Sequence, residues 1–127
     1  MLERLQELVN RLNNSNSNKY KEETLRMYRN DEELKRILYY TYNPFYQFFV
    51  TSKNCIKNKS LCTPKDGDIF DLLDDLRYRR ITAHDAIATI NGFILLNPHY
   101  GELIYRIIDK DLKTRTGEKL INKAIPN

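Results

Sequence analysis

Apolar residues recur three and four positions apart along most of this chain, and nowhere do they alternate with polar ones over a convincing run. Asn, Ser, Asp and Pro break that pattern at short intervals, which restricts the fold to short amphipathic helices. Leu2, Leu5, Leu8, Val9 and Leu12 form the first apolar stripe, and the polar run 13–18 ends it. Ser17 is placed to cap a second helix reaching about Tyr28. Asn30, with Glu33 three residues on, has capping-box spacing for a third helix, whose inner face is Leu34, Ile37, Leu38 and Thr41. Pro44 ends that helix or opens the next element, because proline fits only a first turn.

The second half continues in the same manner. Asp68 or Asp66 caps a helix with Ile69, Phe70, Leu72, Leu73 and Leu76 inside. Asp71, Asp74 and Asp75 lie outside, as a solvated face rather than a metal site. Thr82 with Asp85 caps the next helix, which buries Ala86, Ile87, Ile90, Ile94 and Leu95. Gly92, in its middle, costs about 1 kcal/mol relative to Ala and marks a close helix–helix approach. Asn97-Pro98 starts a helix burying Leu103, Ile104, Ile107, Ile108 and Leu112, and Thr116 caps a last one with Leu120, Ile121, Ala124 and Ile125 inward. The expectation is an all-α, compact bundle of about seven or eight short helices, a single domain over residues 1–127.

Two stretches are less regular. Tyr39, Tyr40, Tyr42, Phe45, Tyr46, Phe48 and Phe49 place seven aromatics in eleven residues. With no partner strand in view, the part from Phe45 to Val50 reads as a buried short helix rather than a strand. Aromatics also stack on bases, but core is the commoner role. Residues 54–67 read as one long loop carrying Cys55, Cys62, Pro64, Lys57, Lys59 and Lys65.

Chemistry is constrained mainly by what is missing. Two cysteines with six residues between them match no zinc pattern, and they read as free thiols of a reducing compartment. There is no phosphate loop, no His-Glu-x-x-His and no nucleophile motif. Lys65-Asp66-Gly67 lacks one residue of the Lys-x-Asp-Gly signature of covalent nucleotidyltransferases. No apolar run approaches the roughly 20 residues of a membrane helix, and the N-terminus has no signal-peptide h-region. A soluble, cytoplasmic protein without membrane partners is expected.

What remains is electrostatic. Net charge is +4 and the pI about 9.0, which favours an anionic partner. Six basic residues fall between Arg106 and Lys123 against three acidic ones. This stretch reads as an apolar helix, a tight basic turn and a second short helix starting at Thr116. Arg106 and Lys110 are four apart and share a helix face. Lys113 and Arg115 precede Thr116-Gly117, and Lys119, Asn122 and Lys123 follow it. Helix N-termini attract phosphate, and a glycine there lets phosphate approach the backbone. Arg77, Arg79 and Arg80, with Thr82, exceed what completing a helix C-terminus requires and form a second basic strip.

Certain residues also carry a family resemblance. Ile81-Thr82-Ala83-His84-Asp85-Ala86-Ile87, Asn91-Gly92-Phe93-Ile94 and the stretch from Glu102 to Lys123 resemble the N-terminal DNA-binding domain of tailed-phage ATP-dependent DNA ligases. The strongest pieces are Arg106, Lys110-Asp111-Leu112 and Asn122-Lys123-Ala124-Ile125-Pro126; Asp31 to Tyr42 agrees more loosely. The resemblance implies an all-helical domain that holds duplex DNA around a nick by its minor-groove backbone, in replication, repair and recombination. It implies that adenylation and sealing, with ATP and Mg, belong to downstream nucleotidyltransferase and OB domains absent from this chain. The chain itself would hold no cofactor, act as a monomer and work in the host cytoplasm if phage-encoded. The family's turn has glycine where this chain has Arg115, and serine where it has Gly117. The alternative is a helical protein-interaction module without a DNA role, using the aromatic cluster or the acidic Asp68–Asp75 helix.

Overall fold

The computed structural model describes residues 1–126. Among them it contains eight α-helices, one 3-10 helix and no strand. The all-α expectation is met. The chain divides into two compact units, Met1–Asn43 with Asp111–Asn127, and Pro44–Lys110.

The first unit holds α1 (Leu2–Leu12), α2 (Asn18–Met27), α3 (Glu32–Tyr42) and α8 (Glu118–Ala124). Leu5, Leu8, Val9 and Leu12 of α1 are buried, as are Leu34, Ile37 and Leu38 of α3 and Ile121 and Ala124 of α8. Each such leucine, isoleucine or valine side chain removed from water contributes about 1.5–3 kcal/mol. Ser17 caps α2 by accepting the Tyr20 N–H at 3.3 Å. The cap of α3 is Asp31 rather than Asn30; its carboxylate accepts the Leu34 N–H at 3.2 Å. Arg4 fixes that choice, with Nε 2.8 Å and Nη2 3.2 Å from the Asp31 carboxylate. That guanidinium holds the Asp31 carboxyl below the usual carboxylate range. An asparagine at the cap would forgo the ion pair.

The second unit holds α4 (Ser52–Lys57), α5 (Ile69–Arg77), α6 (Ala83–Leu96), a 3-10 turn (Pro98–Tyr100) and α7 (Gly101–Ile108). Asp68 caps α5, accepting the Phe70 N–H at 2.7 Å. Thr82 is the N-cap of α6, but its side chain makes no cap bond. The start of the expected long loop is helical, because Thr51 caps α4. Leu95 is 57% exposed rather than buried, while Asn91, Gly92 and Phe93 lie inside.

Asn91 organises this unit. Its amide nitrogen lies 3.2, 3.3 and 3.0 Å from the carbonyl oxygens of Cys55, Asn58 and Leu61, and its oxygen accepts the Tyr105 hydroxyl at 3.0 Å. One side chain thereby ties the end of α4 and the following loop to α6 and α7. Gly92 beside it is close to the loop, not to another helix. A Cβ there would lie 1.7 Å from the Thr63 carbonyl oxygen. The Thr63 N–H donates to the Ala88 carbonyl at 2.9 Å, so the loop backbone lies directly on α6.

The aromatic stretch after Pro44 is neither helix nor strand. Nor is it mainly core: Phe48 is buried, but Phe45 is 91% and Phe49 61% exposed. An aromatic run without helical periodicity has no single face to bury, and other contacts decide its course.

Candidate nucleic-acid interface

The stretch between α7 and α8 is not a tight turn. α7 ends at Ile108 and α8 begins at Glu118, and residues 109–117 between them are irregular. The boundary of the two units falls within this connection, after Lys110. Lys110 has a φ of 62° beyond the helix end, so it does not continue a helical face with Arg106. Leu112 is buried, but outside the helix.

In the first unit, residues 111–117 alternate. Leu112, Thr114 and Thr116 point inward and are buried; Asp111, Lys113, Arg115 and Gly117 are exposed. The inner row is fastened by hydrogen bonds. The Leu112 N–H donates to the Tyr42 hydroxyl at 3.1 Å, and the hydroxyls of Thr114 and Thr116 bond each other. Burial raises the Tyr42 phenol above its ordinary range. Lys21, only 2% exposed, donates its ammonium to the Thr114 carbonyl at 2.6 Å.

Thr116 is thus an inward anchor and not the cap of α8. The N-cap is Gly117, which makes no side-chain bond, and α8 starts with Glu118. That carboxylate already complements the helix dipole. The chemistry of the loop therefore rests on its exposed cations. Lys113 and Arg115 project outward at φ 57° each, a left-handed backbone that costs an L-residue about 1–2 kcal/mol. The Arg115 backbone takes a conformation that glycine adopts freely. Gly117, at φ −114°, does not need to be glycine.

The partners of these cations are few. Arg115 Nη1 donates to the Asn16 side-chain oxygen at 2.8 Å. Lys123 lies 3.7 Å from Glu22, which also pairs with Arg26 at 2.6 Å. Lys113 and Lys119 are exposed and form no ion pair among the described residues. Asn122 is exposed beside Lys123. Lys113, Arg115, Gly117, Lys119, Asn122 and Lys123 are thus solvent-facing members of one unit, while Thr116 holds the loop from behind.

The remaining expected residues belong to the second unit. Arg106 pairs with Glu102 along α7 at 2.7 Å. Arg77 and Arg80 pair with Asp74 and Asp75 at 2.9 and 3.1 Å, which takes two carboxylates out of the expected solvated acidic face. The unexpected element is the aromatic stretch, which gathers these cations. Arg77 lies 4.1 Å from the Tyr46 ring centre, Arg79 4.2 Å from Phe49 and Lys110 5.1 Å from Phe48. Burial there lowers the Lys110 ammonium from its ordinary pKa. Thr82 is exposed at the start of α6.

Among the described residues no group of three or more His, Cys, Asp or Glu side chains is placed to hold a metal ion. Cys55 is buried and Cys62 exposed, and both are free thiols. Among the described residues no helix is long and apolar enough to cross a membrane. Sequence reasoning missed Lys21 and Tyr42, whose partners lie far along the chain and leave no local signal. No protein-family model, no curated protein and no solved structure matches the chain.

Proposed function

We propose that this chain binds duplex DNA without sequence preference, as the N-terminal domain of a phage-type ATP-dependent DNA ligase holding a nicked substrate. The observation that carries the DNA-binding part is the loop 111–117. Its inner row is locked by Lys21, Tyr42 and the threonine pair, while Lys113 and Arg115 face solvent on strained backbone. Of the six non-glycine residues with positive φ among the described residues, four are Arg79, Lys110, Lys113 and Arg115. Arg79, Lys113 and Arg115 among them are exposed, and backbone strain collects at functional sites. Cations held this way neutralise backbone phosphates and release counterions, which gives salt-dependent affinity with little reading of sequence.

The ligase assignment rests on the resemblance of Arg106, Lys110-Asp111-Leu112 and 122–126 to that family. Within it, nucleotidyl transfer with ATP and Mg belongs to downstream catalytic domains, and the role of this chain is to keep the break within their reach. In the first unit the contacts are Lys113, Arg115, Lys119, Asn122 and Lys123; in the second they are Arg106 and Lys110, with Arg77, Arg79, Arg80 and Thr82 as a second strip.

The test is a fluorescence-anisotropy titration of a nicked duplex at low and moderate salt. Binding that weakens steeply with salt, equally for unrelated sequences, supports the proposal. No binding at low salt overturns it in favour of a helical protein-interaction module.

A further inference from the structure

Beside the arginines that follow α5 lie aromatic rings that a grip on duplex phosphates does not use. Tyr46 and Phe49 meet Arg77 and Arg79 in two ring–guanidinium stacks at 4.1 and 4.2 Å. Arg77 also lies 4.0 Å from the Tyr78 ring centre, and Arg80 lies 5.1 Å from it. Two of the rings remain open to solvent, Phe49 at 61% and Tyr78 at 55% exposed, while Tyr46 is half-buried. Both partners of the Phe49–Arg79 stack sit on left-handed backbone, at φ 62° and 59°. A phenylalanine in that conformation is strained, and turning it outward forgoes the burial that would offset the strain. Arg79 forms no ion pair among the described residues.

We infer that Tyr46, Phe49 and Tyr78, with Arg77, Arg79 and Arg80, form a stacking site for unpaired bases of single-stranded DNA. A closed duplex offers such rings nothing, because its base faces are already stacked on each other. An unpaired nucleotide presents both a π face and a phosphate, the two groups that an aromatic ring and an adjacent guanidinium bind. The inference shares the nucleic-acid premise of the proposed function and the three arginines of its second strip, but it stands on the rings of Tyr46, Phe49 and Tyr78, which that reading does not use. Its chemistry suits a displaced or frayed strand end, which duplex phosphate contacts alone do not distinguish from intact DNA.

The test measures the full chain against three fluorescein-labelled probes: oligothymidylate, an abasic oligomer with the same phosphate backbone, and nicked duplex. Stacking predicts about tenfold tighter binding to oligothymidylate than to the abasic oligomer, since each stacked base contributes severalfold or more. Phe49→Leu, which keeps apolar bulk without a ring, removes most of that preference, and Phe49→Tyr restores it. Both variants leave nicked-duplex affinity within twofold of the parent. The pair Lys113→Glu and Lys119→Glu weakens duplex binding and leaves the base preference intact. Equal affinity for the oligothymidylate and abasic probes overturns the inference, as does a preference that survives Phe49→Leu. Loss of duplex binding alone strikes the proposed function, not this site.

Discussion

Replacing Gly92 by Ala sets helix propensity against a close backbone approach, and the magnitudes decide the sign. In an open helix Gly→Ala stabilises by about 1 kcal/mol. Here the new Cβ would meet the Thr63 carbonyl oxygen at 1.7 Å, the Thr63 carbonyl carbon at 2.3 Å and the Pro64 nitrogen at 2.9 Å. All three are backbone atoms, so no side-chain rotation relieves the overlap. The loop must retreat by roughly 1.5–2 Å to reach ordinary contact. That shift strains the Thr63 N–H bond to Ala88 and the Asn91 bond to Leu61, at 2.9 and 3.0 Å. Each such bond contributes about 0.5–1.5 kcal/mol, and overpacking adds about 1–3 kcal/mol. The propensity gain is outweighed, and a net loss of about 2–4 kcal/mol is expected. Urea unfolding followed by circular dichroism at 222 nm measures it. Gly117→Ala is the steric control: a Cβ there meets nothing within 4 Å, so only the poorer N-cap preference of Ala acts, and the loss should stay under about 1 kcal/mol. A Gly92→Ala variant as stable as the parent, or more so, would refute the account of how the loop lies on α6.

Other substitutions separate stability from binding. Arg115→Gly relieves a left-handed backbone at φ 57° and should raise stability by about 0.5–1 kcal/mol in thermal melts, yet weaken duplex binding; a parallel fall in both would contradict it. Asp31→Asn should keep the cap of α3, since Asn caps about as well as Asp, and destabilise near neutral pH by removing the Arg4 ion pair, a loss of under about 1 kcal/mol. The folded-state pKa of Asp31 is depressed, so its contribution is present above the unfolded value of about 3.9 and is lost as pH falls through the folded value. The difference between parent and variant should therefore shrink on acidification, and a difference that grows below pH 4 would be inconsistent. Burial pushes the Cys55 thiol up to about 11, so native protein should release one equivalent rapidly with Ellman's reagent, from Cys62, and the second only on unfolding; two rapid equivalents would contradict the burial.

Where the local chain determines structure, the sequence was readable. Ser17 and Asp68 cap their helices as their positions suggest, because a cap bond reaches only two or three residues. The aliphatic stripes of α1, α3, α5 and α7 became buried faces for the same reason. Misplaced features depend on distant partners. Asn30 and Asp31 are both good cap residues, and the choice falls to Arg4, 27 positions away. Thr116 looks like a cap until Thr114 and the inward row of the loop draw it inside. Lys21 lies in a polar helix and resembles a surface lysine; only the Thr114 carbonyl, 93 residues on, gives it a buried role. The aromatic stretch reads as core because its rings are apolar, whereas Arg77 and Arg79 draw Tyr46 and Phe49 into ring–guanidinium stacks. The cations of the candidate interface were legible as charge, but their left-handed backbone was not, since such conformations in Lys and Arg leave no compositional trace.

The most direct test of the central claim is the slope of log binding constant against log salt for a nicked duplex, compared between the parent and the Lys113→Glu, Lys119→Glu double variant. Each neutralised phosphate contributes about −0.9 to that slope. If these two exposed lysines contact phosphates, the double variant binds more weakly at every sequence and its slope is shallower by about 2. A parent that binds DNA with a slope unchanged by the two substitutions would contradict the account.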